Sequence, residues 1–483
     1  MSAEATGGQK EKTEIPKKKK LRLPHTLILI YAMVVLTVAA TWIVPGGEYK
    51  RVEKDGKLMP VSGSFHTIER RPQGLDALFI SPIKGFVDAA QIIVFLLLVG
   101  GAFAVIQKTG AVAAFIHNLA LRFGRSGALR ALLIPATMVI FSLGGAVFGM
   151  CEETMPFILI FVPLALSLGY DTITGVAIPF VGAAAGFAGA FFNPFTVGIA
   201  QGIAKLPLYS GVGFRLIIWA GGTALAVTFV MRYAARVRRD PRSSPVVEED
   251  EERRRTLDLN KIGREKVEVT ARHKLVLVLF LLGMALLVFG ILKYKWYINE
   301  IAGLFLALGI LSGIAGRLSG EDTARSFVEG AKDMVNAALI IGCARAILVV
   351  ATDGRIMDTM LHGMETAIAR FHPVLSAQLM FFSQCVINFF VHSGTAQAAL
   401  TMPIMAPLGD LVGITRQTSV FAFQLAEYIN PILPTSGVTM GVLGLARLRW
   451  DKWARWFLPL MLGWVVWGLL ALVPAVLLRW GPF

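Results

Sequence analysis

Two adjacent glutamates, Glu152 and Glu153, lie between long uncharged apolar runs of this 483-residue chain. A carboxylate at membrane depth is costly, so it is expected to face a pocket and to find a partner there. An ammonium group, Na⁺, a proton or the guanidinium group of Arg345 would each be a suitable partner for the carboxylate. The alternative is that the pair reaches the aqueous interface and is simply solvated. The two glutamates are therefore candidate binding groups for a solute or an ion.

Each half of the chain also contains one long apolar run that an Asn-Pro pair interrupts, at Asn193-Pro194 and at Asn430-Pro431. Proline removes a backbone donor and clashes with the preceding turn, so a helix should break there. A break at mid-depth exposes carbonyl groups and a half-helix N-terminus, which coordinate cations and anionic groups. The alternative is a kink that serves packing alone. The side chains expected at the two breaks are Asn193 and Thr196, and Asn430, Thr435 and Ser436, with a Na⁺ ion near Asn193, Thr196 and Asn430.

Arg345 is the only charged residue between Met334 and Thr352. Its guanidinium group can hold a substrate carboxylate in a bidentate manner, and it can equally form an internal pair with a glutamate. The sequence leaves both readings open. Acidic and cationic groups in one membrane core suit an amphoteric solute, such as an amino acid, better than a plain dicarboxylate.

Composition indicates the kind of structure that must position these residues. The chain carries 47 Lys and Arg against 32 Asp and Glu, a net charge of +15, and 55% of its residues are apolar. Only 16% are charged, below the roughly 25% of soluble domains. A nucleic-acid-binding protein would collect its positive charge on one surface, whereas here it lies between long apolar runs. We therefore expect a membrane protein with basic loops and no nucleic-acid partner.

The length of the apolar runs predicts a multi-pass topology. A span needs about 20 residues, and the basic segment 1–23 places the N-terminus in the cytoplasm, because Lys and Arg are enriched on that side. Most other Lys and Arg residues also fall in segments that this topology puts inside. The expected full spans lie near 27–44, 86–107, 173–204, 212–232, 272–292, 298–316, 328–350, 416–446 and 454–479.

Two further pairs of apolar arms, at 128–169 and 374–413, behave differently because a polar tip divides each pair. The second arm of the first pair has about 14 residues, or ~21 Å of helix, which is too short for a ~30 Å hydrocarbon core. Polar tips at such depth are tolerated only where protein or water surrounds them. Both segments are therefore predicted to be re-entrant hairpins.

A shift of about 245 residues overlays the two halves of the chain. Gly85 and Asp88 then fall on Gly330 and Asp333. In the topology above the two copies run in opposite directions, and inverted repeats with broken helices are typical of secondary transporters. The predicted divisions are a basic tail (1–23), a first repeat (24–232) with a broken helix at 173–204, a solvated cytoplasmic linker (233–271), and a second repeat (272–483) with a broken helix at 416–446.

No Walker loop, dinucleotide-binding fingerprint or zinc-type histidine pair occurs in the sequence. We therefore expect no cofactor and no ATP-driven mechanism. An intramembrane enzyme would need a nucleophile or metal constellation at depth, and only scattered Ser and His residues are present, so no enzyme is expected. A channel is a further alternative, which saturable exchange of one solute for another would exclude.

Four motifs resemble one family. They are Phe148-Gly-Met-Cys-Glu-Glu-Thr-Met-Pro156, Asn193-Pro194-Phe195, Gln397-Ala-Ala-Leu-Thr-Met-Pro-Ile-Met-Ala-Pro407 and Pro434-Thr-Ser-Gly437. The chain is similar over residues 24–479 to the YfcC-like branch of the DcuC family, within the wider ion transporter superfamily. The resemblance implies an all-α polytopic membrane protein that forms a dimer, contains inverted repeats and works by elevator-type alternating access in the inner membrane of a bacterium.

The same resemblance implies transport coupled to Na⁺ or protons, or exchange. The branch is labelled as basic amino acid (arginine/ornithine) antiporters, and the parent family carries four-carbon dicarboxylates. His392 and Ala426-Glu427-Tyr428 depart from the family pattern beside the supposed pocket. The ligands that the resemblance places at the tips and breaks are Glu152, Glu153, Thr154, Asn193, Ser393, Gly394, Thr395, Gln397, Asn430, Thr435 and Ser436.

These observations together predict a secondary transporter of a small-molecule substrate. An antiporter of basic amino acids is the first hypothesis. The alternative is a Na⁺- or H⁺-coupled carrier of four-carbon dicarboxylates.

Overall fold

The computed structural model describes residues 26–54, 57–61, 63–112, 114–115, 127–256, 269–294, 296 and 298–481. The predicted basic tail, residues 1–23, lies outside these ranges, as does the stretch 257–268 of the predicted linker. Most of the described residues are helical. The helices of the first half are α1 Thr26–Ile43, α2 Ala77–Asp88, α3 Ala90–Lys108, α4 Gly127–Phe148, α5 Met155–Ser167, α6 Thr172–Ala188, α7 Ile199–Ile203, α8 Val212–Arg239 and α9 Val247–Thr256.

The second half of the chain contains ten described α-helices. They are α10 Ala271–Tyr294, α11 Ile298–Ala315, α12 Gly320–Asp333, α13 Val335–Asp353, α14 Met357–Ile368, α15 Pro373–Phe390, α16 Gly394–Leu411, α17 Arg416–Leu425, α18 Gly437–Leu445 and α19 Trp450–Leu477.

Six of the described helices are long and apolar enough to cross a bilayer, namely α3, α8, α11, α13, α15 and α19. The chain is therefore a multi-pass membrane protein. Helix α15, the first arm of the second predicted hairpin, has 18 residues and is one of these six. The segment 416–446, for which the sequence predicts a broken helix, consists of α17, a 3-10 turn and α18.

Local sequence signals set the ends of the helices around the hairpins. Asp171 caps α6 by accepting the N–H of Thr174 (2.9 Å), as short polar side chains do at helix N-termini. Thr415 caps α17 in the same way through the N–H of Thr418 (3.2 Å). Just after α5 and α16, Gly169 and Gly413 have φ values of 86° and 76°. Only glycine adopts this left-handed conformation readily, so both arms end in the same way.

The loop between α1 and α2 contains β-structure that the all-α prediction did not include. Strand β1 (Gly47–Glu48) pairs with β4 (His66–Thr67), and β2 (Arg51–Lys54) pairs with β3 (Lys57–Pro60), both antiparallel. Arg51 Nη2 donates to Asp358 Oδ2 (2.8 Å), and the Tyr49 hydroxyl donates to Glu365 (2.7 Å). Burial, followed by the hydrogen bond to Glu365, raises the pKa of Tyr49. The phenol therefore stays protonated and holds the loop on α14.

The helices divide into two groups by their mutual contacts. The first group contains α4 to α8 and α15 to α19, and the second contains α1 to α3 and α10 to α13. Helix α18 lies at the boundary, because it also packs on α13 of the second group. Within the second group α2 packs on α13, and α3 packs on α12. A Cβ added to Gly85 would lie 2.4 Å from the carbonyl oxygen of Gly342, and one added to Gly330 would lie 2.4 Å from that of Gly100. The same close glycine contact thus occurs twice, between segments that the sequence overlay relates.

Part of the predicted linker is not solvated. Helix α8 continues to Arg239, and α9 docks on the first group of helices. Asp250 is 4% exposed and accepts the N–H of Thr172 (2.8 Å). Arg254 donates to the carbonyl oxygen of Leu166 (2.7 Å). The charged helix therefore ties the end of the first hairpin to the start of α6.

Candidate functional site

The tip of the first hairpin lies between α4 and α5. Gly149 begins it with φ 75°, and Glu152–Thr154 form a 3-10 turn. The N–H of Cys151 donates to Glu153 Oε2 (2.8 Å), and the Thr154 hydroxyl donates to the carbonyl oxygen of Cys151 (2.6 Å). Glu153 is only 5% exposed. The tip therefore holds a carboxylate inside the protein.

The first helix break follows directly behind this tip. Helix α6 ends at Ala188, and Pro194 opens a π-helical turn that ends at Gly198. Asn193 caps this turn, because its Oδ1 accepts the N–H groups of Phe195 (2.9 Å) and Thr196 (3.3 Å). Asn193 Nδ2 and Thr196 Oγ1 are buried without a hydrogen-bond partner among the described residues. The break thus forms a new helix N-terminus, as the Asn-Pro pair predicts.

The tip of the second hairpin touches the first helix break. Ser393 precedes α16 without a side-chain hydrogen bond to the helix. The Thr395 hydroxyl donates to the carbonyl oxygen of Phe195 (3.0 Å). A Cβ added to Gly394 would lie 2.5 Å from Thr196 Cγ2 and 3.2 Å from Glu427 Oε1. Because only glycine permits this approach, the two halves of the chain meet at Gly394.

The second helix break places Asn430 beside the tip of the second hairpin. Helix α17 ends at Leu425, a 3-10 turn covers Ala426–Ile432, and α18 starts at Gly437. Asn430 Nδ2 donates to the carbonyl oxygen of His392 (3.3 Å) and to Glu427 Oε2 (3.2 Å). Glu427 is 2% exposed. A buried carboxylate and an amide therefore connect the break to the hairpin.

These segments surround a cavity of about 220 Å³, which we call the central cavity. Eight of the residues singled out from the sequence line it. They are Glu152, Glu153, Arg345, Ser393, Gly394, Thr395, Asn430 and Thr435. Both hairpin tips, the second break and α13 thus meet at one place.

Four predicted residues lie behind the lining rather than in it, and so does Thr196 from the predicted Na⁺ site. Thr154 contributes to a small apolar pocket beside Glu427. Gln397 Nε2 joins the two arms of its own hairpin through the carbonyl oxygen of Gln384 (2.9 Å). Ser436 Oγ caps α18 by accepting the N–H of Thr439 (3.3 Å). Asn193, as described above, caps its own turn.

The sequence reading missed Asp88, which lines the central cavity and forms an ion pair with Arg345 Nε. The two residues come from α2 and α13, which belong to the same group of helices. The only feature of Asp88 that the sequence indicates is its alignment with Asp333 in the overlay of the two halves. Phe187, Phe195 and His392 also line the cavity; of these, the sequence singles out Phe195 as part of the Asn-Pro-Phe motif and His392 as a residue beside the expected pocket.

The charges of the cavity are unequal. Asp88, Glu152 and Glu153 supply three carboxylates, whereas Arg345 supplies one guanidinium group. The N-terminal turn of α16 also faces the cavity through Gly394 and Thr395, and a helix N-terminus favours anions. The arrangement can therefore hold a small solute that has both cationic and anionic groups.

Interrupted membrane helices around a cavity lined by charged side chains are typical of membrane transporters. The chain belongs to the DcuC family, because the sequence model of that family, described as C4-dicarboxylate anaerobic carrier, matches residues 23–477. It is therefore a membrane transporter, which implies a small-molecule substrate and a lipid bilayer around it.

Two relatives resemble the chain over nearly its whole length. The Escherichia coli (strain K12) protein named "Putative basic amino acid antiporter YfcC" is 37% identical over 92% of this chain and 94% of its own. An uncharacterized protein of Haemophilus influenzae is 28% identical over 96% of this chain and 97% of its own.

Two solved transporter structures are more distant. The YdaH transporter of Alcanivorax borkumensis aligns with a TM-score of 0.42 and 16% identity, over 95% of this chain and 100% of its own. MtrF of Neisseria gonorrhoeae, whose structure is described as illuminating a class of antimetabolite efflux pumps, aligns with a TM-score of 0.41 and 17% identity over 95% and 96%.

Proposed function

We propose that the chain exchanges basic amino acids, arginine- or ornithine-like, across the inner membrane of a bacterium. The observation that carries the proposal is the central cavity, where three carboxylates and one guanidinium group meet two hairpin tips. The name of the Escherichia coli relative supports the same substrate class. The N-terminus is assigned to the cytoplasm on the distribution of basic residues.

The two ends of the solute are assigned to different elements. A basic amino acid has two cationic groups and one carboxylate, so it matches a site with an excess of acidic side chains. We assign its cations to Glu152 and Glu153, and its carboxylate to the N-terminal turn of α16 at Ser393, Gly394 and Thr395. Charge-assisted hydrogen bonds of this kind are stronger than neutral ones.

Alternating access is assigned to movement of the first group of helices against the second. The central cavity lies between them, since α2 and α13 supply Asp88 and Arg345, whereas the first tip supplies Glu152 and Glu153 and the second tip and break supply neutral polar groups. The contact of Thr395 with Phe195 joins the second hairpin to the first helix break, so the two can move as one body. Elevator-type transport of this kind, by a homodimer of inverted repeats, is part of the proposal.

The coupling ion is assigned to the region behind the second tip. Thr196 Oγ1 and Glu427 Oε1 are buried oxygens without a hydrogen-bond partner among the described residues, and both side chains adjoin Gly394. Together with Asn193 and Asn430 they are suited to Na⁺ or a proton. Exchange by Thr196→Val protein, with and without Na⁺ and with a pH gradient, tests this. An unchanged ion dependence would place the ion elsewhere.

Counterflow in proteoliposomes tests the substrate. Vesicles loaded with unlabelled ornithine should accumulate labelled arginine through the wild-type protein. The combined substitution of Glu152→Gln and Glu153→Gln should lower the rate at least about tenfold, since each lost charge-assisted contact is worth roughly 1.5–3 kcal/mol. The matched control is Glu329→Gln, because Glu329 is exposed on α12.

A carrier of four-carbon dicarboxylates is the second candidate. The family description and the presence of Arg345 in the cavity favour it. Succinate counterflow in the same vesicles separates the two functions. Succinate exchange by the wild-type protein without arginine exchange, retained in the double glutamine variant, would replace the proposed substrate.

A further inference from the structure

A second, larger cavity of about 970 Å³ lies where α8 ends and α19 begins. Helix α9 and the turn before it form its third wall. We call it the basic cavity, because five cationic side chains line it against three carboxylates. The cationic residues are Arg232, Arg236, Arg449, Lys452 and Arg455.

Two of the three carboxylates are already engaged by cations. Lys452 Nζ forms an ion pair with Glu249 Oε1 (2.5 Å), and Arg449 Nε forms one with Asp451 Oδ1 (3.0 Å). The third, Glu248, is exposed at the rim. The charge that remains for a ligand is therefore positive.

Arg232 and Arg236 lie one helical turn apart on α8 and both line the basic cavity. Within the described ranges neither guanidinium group forms an ion pair with a carboxylate. Residues four apart lie on the same face of a helix, so both side chains lie on the face of α8 that borders the basic cavity. Two adjacent guanidinium groups are suited to the oxygens of one phosphate.

The floor of the basic cavity is aromatic and contains an unpaired donor. The Trp456 ring packs against Phe229 and Tyr233, each at a centroid distance of 5.2 Å. Trp456 is 8% exposed, yet its Nε1–H has no hydrogen-bond partner within the part of the chain that the structure describes. Buried indole N–H groups usually find one. Six other tryptophans donate to protein oxygens, namely Trp42, Trp219, Trp450, Trp453, Trp464 and Trp467.

An exposed apolar row lies on α19, the helix that also supplies Trp456 to this floor. Leu458, Leu462, Val466 and Leu470 are spaced four residues apart and are 43%, 52%, 54% and 60% exposed. In a membrane protein such a face contacts lipid chains. The basic cavity therefore lies where a lipid-facing surface meets a cluster of arginines, which is how lipid headgroups are bound near the ends of membrane helices.

We infer that the basic cavity binds the phosphate of an anionic phospholipid. Arg232 and Arg236 hold the phosphate oxygens, the Trp456 Nε1–H donates to an oxygen of the headgroup, and an acyl chain lies along the apolar face of α19. The lipid would contact α8, α9 and α19 together, and would thereby stabilise the docked position of α9.

Thermal unfolding of the purified protein in detergent tests the inference. Added phosphatidylglycerol should raise the melting temperature more than phosphatidylcholine does. Arg232→Gln with Arg236→Gln should weaken the phosphatidylglycerol effect at least about tenfold in the lipid concentration required. Arg238→Gln with Arg239→Gln is the matched control, because these residues are exposed on the same helix outside the basic cavity.

A second variant keeps the test valid if the double arginine variant does not fold. Trp456→Phe retains an aromatic ring but removes the donor, so it should weaken the phosphatidylglycerol effect and leave that of phosphatidylcholine unchanged. Equal stabilisation by both lipids would overturn the inference. So would an equal effect of glycerol phosphate or inorganic phosphate, which would identify a soluble phosphate as the ligand.

Discussion

Gly394 shows how closely the functional residues of the two halves approach one another. Its position between Thr196 and Glu427 leaves no room for a side chain, because an added Cβ would lie 2.5 Å from Thr196 Cγ2. Real Cβ atoms do not approach other atoms so closely, so either the tip or the break would have to shift. The tip also carries Ser393 and Thr395, which line the central cavity. Such a shift would therefore displace the residues assigned to the substrate carboxylate.

Gly394→Ala is accordingly expected to lower arginine exchange by roughly tenfold or more, since overpacking costs about 1–3 kcal/mol. Thr196→Ser removes the opposing methyl group, so the double variant Gly394→Ala with Thr196→Ser should recover much of the rate. Counterflow in proteoliposomes measures both. Gly303→Ala is the control, because nothing lies within 4 Å of a Cβ there. An unimpaired Gly394→Ala protein would contradict the close contact.

Residue types alone predicted part of the site. Glu152, Glu153 and Arg345 were identified because charges inside apolar runs are costly, and all three line the central cavity. Asp88 was not identified, because nothing in the sequence indicates that it lies beside Arg345, which is 257 positions away. Asn193 was predicted to be a ligating residue, although its Oδ1 caps its own turn. Sequence shows which groups need partners but not which local partner satisfies them.

At the scale of elements, the docking of α9 is a feature that its pattern of charges does not predict. Its residues Val247–Thr256 have mixed charges and no apolar face, so the sequence predicts a solvated segment. The helix is nevertheless fixed by charged side chains that find backbone partners, as Arg254 does at the carbonyl oxygens of Leu166 and Tyr170. The hairpins were predictable because a polar tip between apolar arms is a local signal. The docking of α9 depends on groups that are remote in sequence.

Asp250→Ala should release α9 from the end of the first hairpin. The carboxylate accepts both the N–H and the hydroxyl of Thr172, and leaving such buried donors unsatisfied costs about 1–3 kcal/mol. The undocked population should therefore rise roughly 5- to 150-fold, at tenfold per 1.4 kcal/mol. Trypsin cleavage after Arg253 and Arg254 measures it.

Glu251→Ala is the matched control for this prediction, because Glu251 is exposed on the same helix. Its cleavage rate should equal that of the wild-type protein. Equal cleavage of both variants would mean that Asp250 does not hold the helix.

At the scale of the whole molecule, composition was sufficient to predict a multi-pass membrane protein. The motif overlay predicts that α2 and α3 are equivalent to α12 and α13, and in the structure Gly85 lies close to Gly342 and Gly330 close to Gly100. The division of the helices into two groups was not predictable, because it depends on packing between segments far apart in the chain. That division matters for transport, since the central cavity lies on the boundary.

Movement between the two groups can be tested by cross-linking across their boundary. Asp333, at the end of α12, forms an ion pair with Arg447, which follows α18 (2.5 Å), so this pair joins the second group to the first. Lys84 and Asp353 form an ion pair within the second group, between α2 and α13 (2.6 Å). Both pairs are exposed, so cysteines at either are accessible to the same bifunctional thiol reagent.

In a protein whose native Cys151, Cys343 and Cys385 have been replaced without loss of exchange, cross-linking of Asp333→Cys with Arg447→Cys should stop arginine counterflow. Cleavage of the linker should restore it. Cross-linking of Lys84→Cys with Asp353→Cys should leave the rate within about twofold, because those residues belong to one body. Full exchange with the Asp333–Arg447 positions linked would mean that the two groups do not move against each other, and that solute passes the central cavity by local opening of the hairpin tips.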